Sequence, residues 1–254
     1  MNGEGYVGSW AAIPEVAKVT LRQLLGRRRT LLLVLLSALP VLLAVAFRLA
    51  DQTDIERFTR RIFDTISMTI LLPLVAILFG SGAFGSEIDD GTIVYLLAKP
   101  VPRWILVAAK ALSALAVAIL LTGVSTALAG FIDLFPAGND GVLATEAQVL
   151  AMVVGSACYV SVFLALSLFT RRALVIGIGY MLIWEGALSS LLSGIANFSI
   201  RQYALGAADF VTKLPIETAR LAPETGIALA VALVVICLAL ATWKLMRFEL
   251  PGGD

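Results

Sequence analysis

Histidine is absent from the chain, cysteine occurs only twice, and only 15% of the residues are charged. Histidine is the commonest metal ligand and general base in proteins, so its absence excludes most zinc sites and the Ser-His and Cys-His catalytic pairs. Both cysteines, Cys158 and Cys237, lie in long apolar runs, where a thiol usually behaves as a small hydrophobic group. Ordinary hydrolytic chemistry is therefore not expected of this chain.

Apolar residues are abundant: 59% of the chain is hydrophobic, and its mean hydropathy is +0.94. A helix that crosses the hydrocarbon of a bilayer needs about 20 apolar residues. Six runs meet this length: residues 30–49, 66–85, 112–131, 149–169, 173–195 and 226–245. They are continuously apolar and lack the alternation of a barrel strand. We predict an all-α polytopic membrane protein with six transmembrane helices, forming a single transmembrane domain over residues 1–254.

Lysine and arginine beside the apolar runs predict the orientation of the chain, because cytoplasmic flanks carry an excess of them. Basic residues collect before the first run, between the second and third, between the fourth and fifth, and after the sixth. The segment 132–148 has no lysine or arginine. We therefore expect both termini on the cytoplasmic side, although the segment 50–65 carries arginines that oppose this assignment.

The segment before the first run has the pattern of an amphipathic helix, because its apolar residues recur at intervals of three and four. These residues are Ile13, Val16, Ala17, Thr20, Leu21, Leu24 and Leu25. The basic run Arg27-Arg28-Arg29 would lie at anionic headgroups. We predict an interfacial helix over residues 13–28 on the inner membrane face. It would serve as a surface anchor alone, or also as a collar against a cytoplasmic partner.

A polar insert, residues 87–103, separates the second and third apolar runs. Gly91 permits a sharp change of direction, and Asp90 or Thr92 can cap a helix that runs from Ile93 to Lys99. The prolines that end this helix are Pro100 and Pro102. At roughly 1.5 Å per residue the helix would be about 10 Å long, too short to cross a membrane. Taken alone, the insert could be an ordinary capped turn at the interface.

The insert and the runs around it together resemble the ATP-binding-cassette (ABC) transporter permeases of the ABC-2 type. The resemblance covers nearly the whole chain and includes an E-x-x-x-G-T element from Glu87 to Thr92. In such permeases the insert is a coupling helix that fits a cleft of a separate ATPase subunit. The coupling residues that the resemblance implies here are Glu87, Gly91, Thr92, Ile93, Leu96, Leu97, Pro100 and Arg103. Residues 93–99 would make the contact, and Arg103 would anchor the return into the membrane.

The chain does not carry a phosphate-binding G-x-x-x-x-G-K-[ST] loop, so we do not expect it to be an enzyme. On the resemblance, ATP and Mg²⁺ would be bound by a partner ATPase, present in two copies. Two membrane subunits would then be needed, most simply a homodimer, although a different second permease chain stays open. The resemblance further implies export across a bacterial plasma (inner) membrane. Nucleic acid is not expected as a partner.

Glu185 is the one acidic residue near the middle of a predicted span, roughly 18 Å into the fifth. A carboxyl group at that depth is costly unless it is protonated, paired or wetted. It is a candidate for the substrate pathway, with a structural hydrogen bond to a neighbouring helix as the alternative. The following segment, 197–225, is too polar to span but has helical spacing, which predicts a short helix at the outer face.

Two other functions are compatible with parts of the sequence. Paired aspartates in Asp89-Asp90-Gly91 could hold Mg²⁺ in a membrane-embedded lipid-head transferase, but the further aspartates of such a site are missing. A secondary transporter would need no ATPase, but it generally has inverted repeats and paired intramembrane charges, which this sequence does not display.

Overall fold

A computed structural model shows a bundle of helices and describes residues 12–25, 28–50, 55–98, 101–134, 138–188, 198–212 and 219–247. The α-helices are α1 (Ala12–Leu25), α2 (Arg28–Leu49), α3 (Ile55–Ile62), α4 (Leu72–Asp89), α5 (Ile93–Leu97), α6 (Arg103–Asp133), α7 (Asn139–Phe169), α8 (Ala173–Gly179), α9 (Ile200–Thr212) and α10 (Pro223–Met246). Two stretches are π-helical: the first π segment, Phe63–Leu71, and the second, Tyr180–Leu188. No β-strand occurs in the described ranges, and the predicted helical class is confirmed.

Five helical stretches of the described residues are long and apolar enough to cross a membrane. They are Thr30–Leu49, Phe58–Asp89, Arg103–Asp133, Asn139–Phe169 and Pro223–Met246, and each overlaps one predicted span. The predicted span 173–195 is described only as far as Leu188, as α8 followed by the second π segment. Residues 189–195 lie outside the described residues, so the count of six spans stays a prediction.

The helices extend well beyond the predicted hydrophobic spans. α3 and the first π segment run directly into α4, so this helix begins at Ile55 rather than near residue 66. α7 begins at Asn139, ten residues before its predicted span. Polar residues end a hydrocarbon-crossing run, but they do not end a helix when tertiary contacts hold the extra turns. Thr59 provides such a contact, because its hydroxyl donates a 2.6 Å hydrogen bond to Asp133 of α6.

α7 is the central helix, and it packs against α4, α6, α9 and α10. Small residues permit these close approaches, as is usual between helices in membranes. A Cβ atom added at Gly155 of α7 would lie 2.6 Å from Leu72 of α4 and 3.3 Å from Ala204 of α9. One added at Gly80 of α4 would lie 3.0 Å from the carbonyl oxygen of Val160. The bundle core therefore depends on glycine at the helix crossings.

α2 and α10 lie at the edge of the bundle, and both leave broad apolar faces exposed. The exposed residues include Leu31, Leu32, Leu35 and Leu42 on α2, and Val231, Val235, Ile236 and Leu240 on α10. α1 packs mainly on α6, where the Ser113 hydroxyl donates a 3.2 Å hydrogen bond to the Ala17 carbonyl. α1 overlaps the range 13–28 in which an interfacial helix is predicted, and residues 26–27 lie outside the described residues.

α9 crosses α10 at a contact between Gly206 and Gly226. A Cβ atom at Gly226 would lie 2.8 Å from the Gly206 Cα atom, a distance that real Cβ contacts do not show. The short outer-face helix predicted within 197–225 corresponds to α9, whose residues 202–208 are all buried. This helix is therefore part of the bundle and does not lie loosely on its surface. Residues 197 and 213–218 lie outside the described residues.

We expect Gly226→Ala to lower the free energy of unfolding by about 1–3 kcal/mol, because the added methyl group meets backbone at the α9–α10 crossing. Gly85→Ala in α4 is the matched control, since a Cβ atom there meets nothing within 4 Å and alanine favours a helix. Thermal unfolding of the detergent-purified chain measures the effect of both substitutions. Equal midpoints for the two variants would contradict the close crossing.

Candidate functional site

The insert between α4 and α6 forms a compact turn that carries α5. Gly91 has a φ angle of +67°, a left-handed conformation that glycine adopts without strain. α5 then runs from Ile93 to Leu97, and the guanidinium of Arg103 donates a 3.0 Å hydrogen bond to the Leu97 carbonyl. Arg103 thus caps the end of α5 from the first turn of α6.

The side-chain cap expected at the start of α5 is not formed. Thr92 occupies the N-cap position but makes no side-chain capping bond. Its hydroxyl is 3.5 Å from the Glu87 carbonyl, to which it donates a long hydrogen bond. The insert turns at Gly91 with the chain still in a helical conformation at Thr92, so the geometry needed for a side-chain cap is not reached. Lys99 and Pro100 lie outside the described residues.

α5 turns part of the predicted contact range 93–99 toward the bundle and exposes another part. Ile93 and Leu97 are one turn apart and buried in the core, and Leu96 is half-buried. The exposed side instead presents Val94 and Tyr95, with Tyr95 exposed over 76% of its surface. Sequence periodicity contained this signal, because residues 93 and 97 share one helix face while residues 94 and 95 lie off it. Val94 and Tyr95 lie within the predicted contact range 93–99, although neither is among the coupling residues named individually from the resemblance.

A buried ion pair lies beneath the insert. The Lys110 ammonium of α6 lies 2.8 Å from Glu87 Oε1 of α4 and donates a 2.5 Å hydrogen bond to the Ala83 carbonyl. It also lies 4.9 Å from the centre of the Phe84 ring. Lys110 is only 1% exposed, so its charge depends on these partners. The pair joins the last turn of α4 to the early part of α6, the two helices that hold the insert.

A cavity of about 110 Å³ lies beside the insert. Its polar wall includes Ser86 and Asp89 from α4 and Thr170 and Arg171 from the α7–α8 connection. Leucines of α1, α2, α4 and α8, together with Phe79, supply the apolar wall. We call it the insert-side cavity. It places polar and apolar groups together at the end of the bundle that carries α5.

Glu185 lies apart from the insert and is 2% exposed. Its carboxylate accepts hydrogen bonds from the Ser199 hydroxyl at 2.8 Å and from the backbone amide of Ile200 at 3.0 Å. The Tyr180 hydroxyl donates a third, at 3.1 Å. Ile200 begins α9, so Glu185 supplies an anionic cap to the N-terminus of this helix from the second π segment. The contacts favour the structural alternative for Glu185.

A second acidic residue holds the same end of α9. Arg201 forms a hydrogen-bonded ion pair with Asp64 of the first π segment. Gln202 accepts a 2.8 Å hydrogen bond from the backbone amide of Arg220, which ties the connection before α10 to α9. The start of α9 is therefore fastened to both π segments and to the segment that leads into α10.

The described residues contain no group of three or more histidine, cysteine, aspartate or glutamate side chains suited to a metal. Asp89 and Asp90 are both exposed, and no further carboxylate joins them within the described residues. The structure thus provides no support for the magnesium site of a lipid-head transferase.

We expect Lys110→Met to destabilise the chain by about 3–5 kcal/mol, because Glu87 would be left as an uncompensated buried charge. The double variant Lys110→Met with Glu87→Met removes both charges and should recover most of this loss. Chemical unfolding of the wild type, the two single variants and the double variant gives the four free energies of a double-mutant cycle. Strictly additive losses would show that the two charges do not interact.

We expect Glu185→Gln to loosen the start of α9, because hydrogen bonds to a charged acceptor are about twice as strong as neutral ones. Hydrogen exchange at the amides of Ile200 and Arg201 should accelerate roughly tenfold, which corresponds to about 1.4 kcal/mol. Tyr180→Phe is the control, since it removes one hydroxyl donor to the carboxylate and leaves the Glu185 charge and the backbone amide bonds in place. Unchanged exchange at both amides would contradict the capping role.

Comparison with known families gives a match over most of the chain. A family model described as ABC-2 family transporter protein matches residues 15–250. A search of curated proteins found no match. The matched range includes the long apolar helices, the insert with α5, and α9. The chain therefore belongs to the family of ABC-2 transporter proteins, and it is a membrane transport component of that family.

Proposed function

We propose that this chain is the permease subunit of an ABC transporter whose ATP hydrolysis takes place in a separate cassette ATPase. The observation that carries the proposal is α5, a short helix with one face packed in the core and the other face exposed. It follows a left-handed turn at Gly91, is capped by Arg103 and presents Tyr95 outward. A partner that moved α5 would act on a rigid element.

A displacement of α5 would be transmitted to the membrane-spanning helices through the buried Lys110–Glu87 pair. Glu87 lies at the end of α4, and Lys110 lies two turns into α6. Because removing either charge from its partner is costly, a displacement of the insert would move both helices together. Ile93 and Leu97 extend this connection, since they are packed in the same core as Phe84 and Leu106.

The assembly that we propose contains two such permease chains and two cassette ATPases, with ATP and Mg²⁺ bound by the ATPases. The exposed apolar faces of α2 and α10 provide surface for a second copy as well as for lipid. Both termini and α5 would face the cytoplasm of a bacterial cell, with α1 along the inner face of the plasma membrane. The insert-side cavity would then receive substrate from the cytoplasmic side, which is consistent with export.

We expect Tyr95→Ala to weaken the complex with the cassette ATPase roughly tenfold, because exposed aromatic residues often dominate such contacts. Phe131→Ala is the matched control: Phe131 is an exposed aromatic residue of α6 at the end of that helix remote from the insert. The measurement is retention of the ATPase on tagged, detergent-purified permease, with the stimulated ATPase rate as a second readout.

Photo-crosslinking supplies an independent test. A benzophenone side chain introduced at position 95 should link the permease to a polypeptide whose peptides contain a G-x-x-x-x-G-K-[ST] loop, and one at position 131 should not. If neither variant captures a cassette ATPase from membranes in which the chain is active, the proposal that a separate ATPase contacts α5 is wrong.

A further inference from the structure

The insert-side cavity has a polar end and an apolar end. Along α4, Asp89 and Ser86 line it at the last turn, Gly85 follows, and Phe79 and Leu78 line it deeper in the helix. Its other walls come from the end of α1, the start of α2, the end of α7 and the start of α8. These elements lie where the apolar helices begin or end. The cavity therefore changes from polar to apolar in the same direction as a leaflet of a bilayer.

The floor of the cavity is open because α4 carries glycine there. A Cβ atom added at Gly85 would meet nothing within 4 Å, and one added at Gly82 would lie 3.5 Å from the Leu24 side chain. At about 10–15 Å³ for each water-sized group, the volume of about 110 Å³ accommodates roughly 7–11 such groups. This is enough for a small polar head group but not for the acyl chains of a lipid.

The α4 wall of the cavity accepts hydrogen bonds. The Ser86 hydroxyl donates its hydrogen to the Gly82 carbonyl at 2.9 Å, and the Ser81 hydroxyl donates to the Ile77 carbonyl. A hydroxyl group has a single hydrogen, so both oxygen atoms keep only lone pairs for a ligand. The Asp89 carboxylate, one turn from Ser86 on α4, is also an acceptor. This wall therefore fits a group with several N–H donors and a positive charge, such as a primary ammonium.

The wall formed by the α7–α8 connection donates hydrogen bonds. The Thr170 hydroxyl oxygen accepts a 3.2 Å hydrogen bond from the backbone amide of Arg172, so its own hydrogen remains available to a ligand. Arg171 adds a guanidinium group, whose forked donors match the oxygen atoms of a phosphate. A phosphate group therefore fits this wall.

The two charges of the lining lie on different walls and do not neutralise each other. The ion pairs of the described residues are formed elsewhere in the bundle, so neither Asp89 nor Arg171 is paired there. Both side chains are exposed and lie at the rim of the cavity. A simple cation or anion would be attracted by one wall and repelled by the other, whereas a ligand with both charges would be attracted by both.

Apolar chains attached to such a ligand would find surface beside the cavity. α1 and α8 both pack on α4, whereas α2 and α8 make no extensive contact with each other in the described ranges. Leu32 and Leu35 of α2 are exposed, as are Val175 and Ile176 of α8. Chains that leave the apolar end of the cavity would lie against these faces and extend into the bilayer.

We propose that the insert-side cavity binds the head of an aminophospholipid of the phosphatidylethanolamine class. The ammonium contacts Asp89 and Ser86, the phosphate contacts Arg171 and Thr170, and the acyl chains lie along α2 and α8. This inference rests on the proposed function for the role of the cavity as a substrate entrance, and it names the class of substrate. Binding itself needs no ATPase.

The test is native mass spectrometry of the purified full chain, titrated with dioleoyl lipids that differ only in their heads. Phosphatidylethanolamine should bind roughly tenfold more tightly than phosphatidylcholine, whose nitrogen has no N–H donor, and than phosphatidylglycerol, which has no positive group. Equal affinities for the three lipids would overturn the proposal and leave a water-filled cleft.

The soluble head group tests whether the ligand is a lipid. Glycerophosphoethanolamine has the same head without acyl chains, and we expect it to bind at least roughly tenfold more weakly because the apolar contacts are lost. If it bound as tightly as phosphatidylethanolamine, the cavity would be a site for a soluble phosphate ester and the lipid assignment would be wrong.

Neighbouring residues that do not line the cavity provide matched controls. Arg171→Gln should weaken binding of both phosphatidylethanolamine and phosphatidylglycerol roughly tenfold, and Arg172→Gln should leave it unchanged. Asp89→Asn should remove the preference for phosphatidylethanolamine over phosphatidylglycerol, and Asp90→Asn should keep it. Wild-type affinity and selectivity in both Arg171→Gln and Asp89→Asn would refute the site.

Filling the cavity tests its location without removing a charge. Gly85→Leu should place a side chain in the open space and abolish selective lipid binding. Gly179→Leu is the control, because a Cβ atom there also meets nothing within 4 Å and Gly179 does not line the cavity. Selective binding that survived Gly85→Leu would place the lipid elsewhere.

The role of the lipid as a substrate is measured separately in the complex with the ATPase. Phosphatidylethanolamine should stimulate the ATPase rate of the reconstituted complex more than phosphatidylcholine does, and equal rates would contradict the substrate role. A chain that captures an ATPase at position 95 but shows no lipid selectivity would overturn this inference alone. Selective binding without capture of an ATPase would overturn the proposed function and leave the lipid site in place.

Discussion

Lys110 brings a positive charge into an apolar bundle, and the insert end of the molecule is arranged around the groups that stabilise this charge. Glu87, the Ala83 carbonyl and the face of Phe84 surround the ammonium group. All three belong to the last two turns of α4. Since a buried ammonium without partners would cost several kcal/mol, α4 and α6 are constrained to one relative position. The turn at Gly91 and α5 lie between these two helices, so both ends of the insert are held at a defined separation.

The opposite end of the bundle uses polar contacts in a different way. There the charges fasten segments that hydrophobic packing alone would position poorly. Glu185 caps α9, Asp64 pairs with Arg201, and Asp133 accepts a hydrogen bond from Thr59. Each contact joins residues that are distant in sequence. In a low-dielectric interior such contacts are specific as well as strong, because an alternative packing would leave buried polar groups unpaired.

Between these two ends, the bundle depends on close helix packing around α7. Lipid is as apolar as leucine, so burial of leucine provides little drive for helices to associate within a membrane. Close approach at glycine compensates, since backbone atoms then make many dispersion contacts. The crossings at Gly80, Gly155 and Gly206–Gly226 are of this kind. They connect the helices that carry the insert to α9 and α10, so both polar ends belong to one packed unit.

Much of the fold and part of the candidate site could be predicted from the sequence. The helical class, the long apolar helices and the turn at Gly91 follow from local composition, because hydrocarbon requires internally bonded helices and glycine tolerates a positive φ angle. The helices extend beyond the predicted apolar spans, since Thr59 and other polar residues are kept helical by contacts outside their own segment. The orientation of α5 could not be predicted, because apolarity alone does not tell whether Ile93 and Leu97 face a partner or the chain's own core.

The sequence by itself therefore determined that this is a helical membrane protein with a polar insert between two apolar helices and no phosphate-binding loop of its own. Only the tertiary structure decided which groups meet. Lys110 pairs with Glu87, which is 23 residues away in the sequence, and Arg201 pairs with Asp64, which is 137 residues away. The physical reason is that helix formation is decided by neighbouring residues and by the solvent. The pairing of buried charges, in contrast, depends on how the helices cross, which is set by contacts such as that between Gly206 and Gly226.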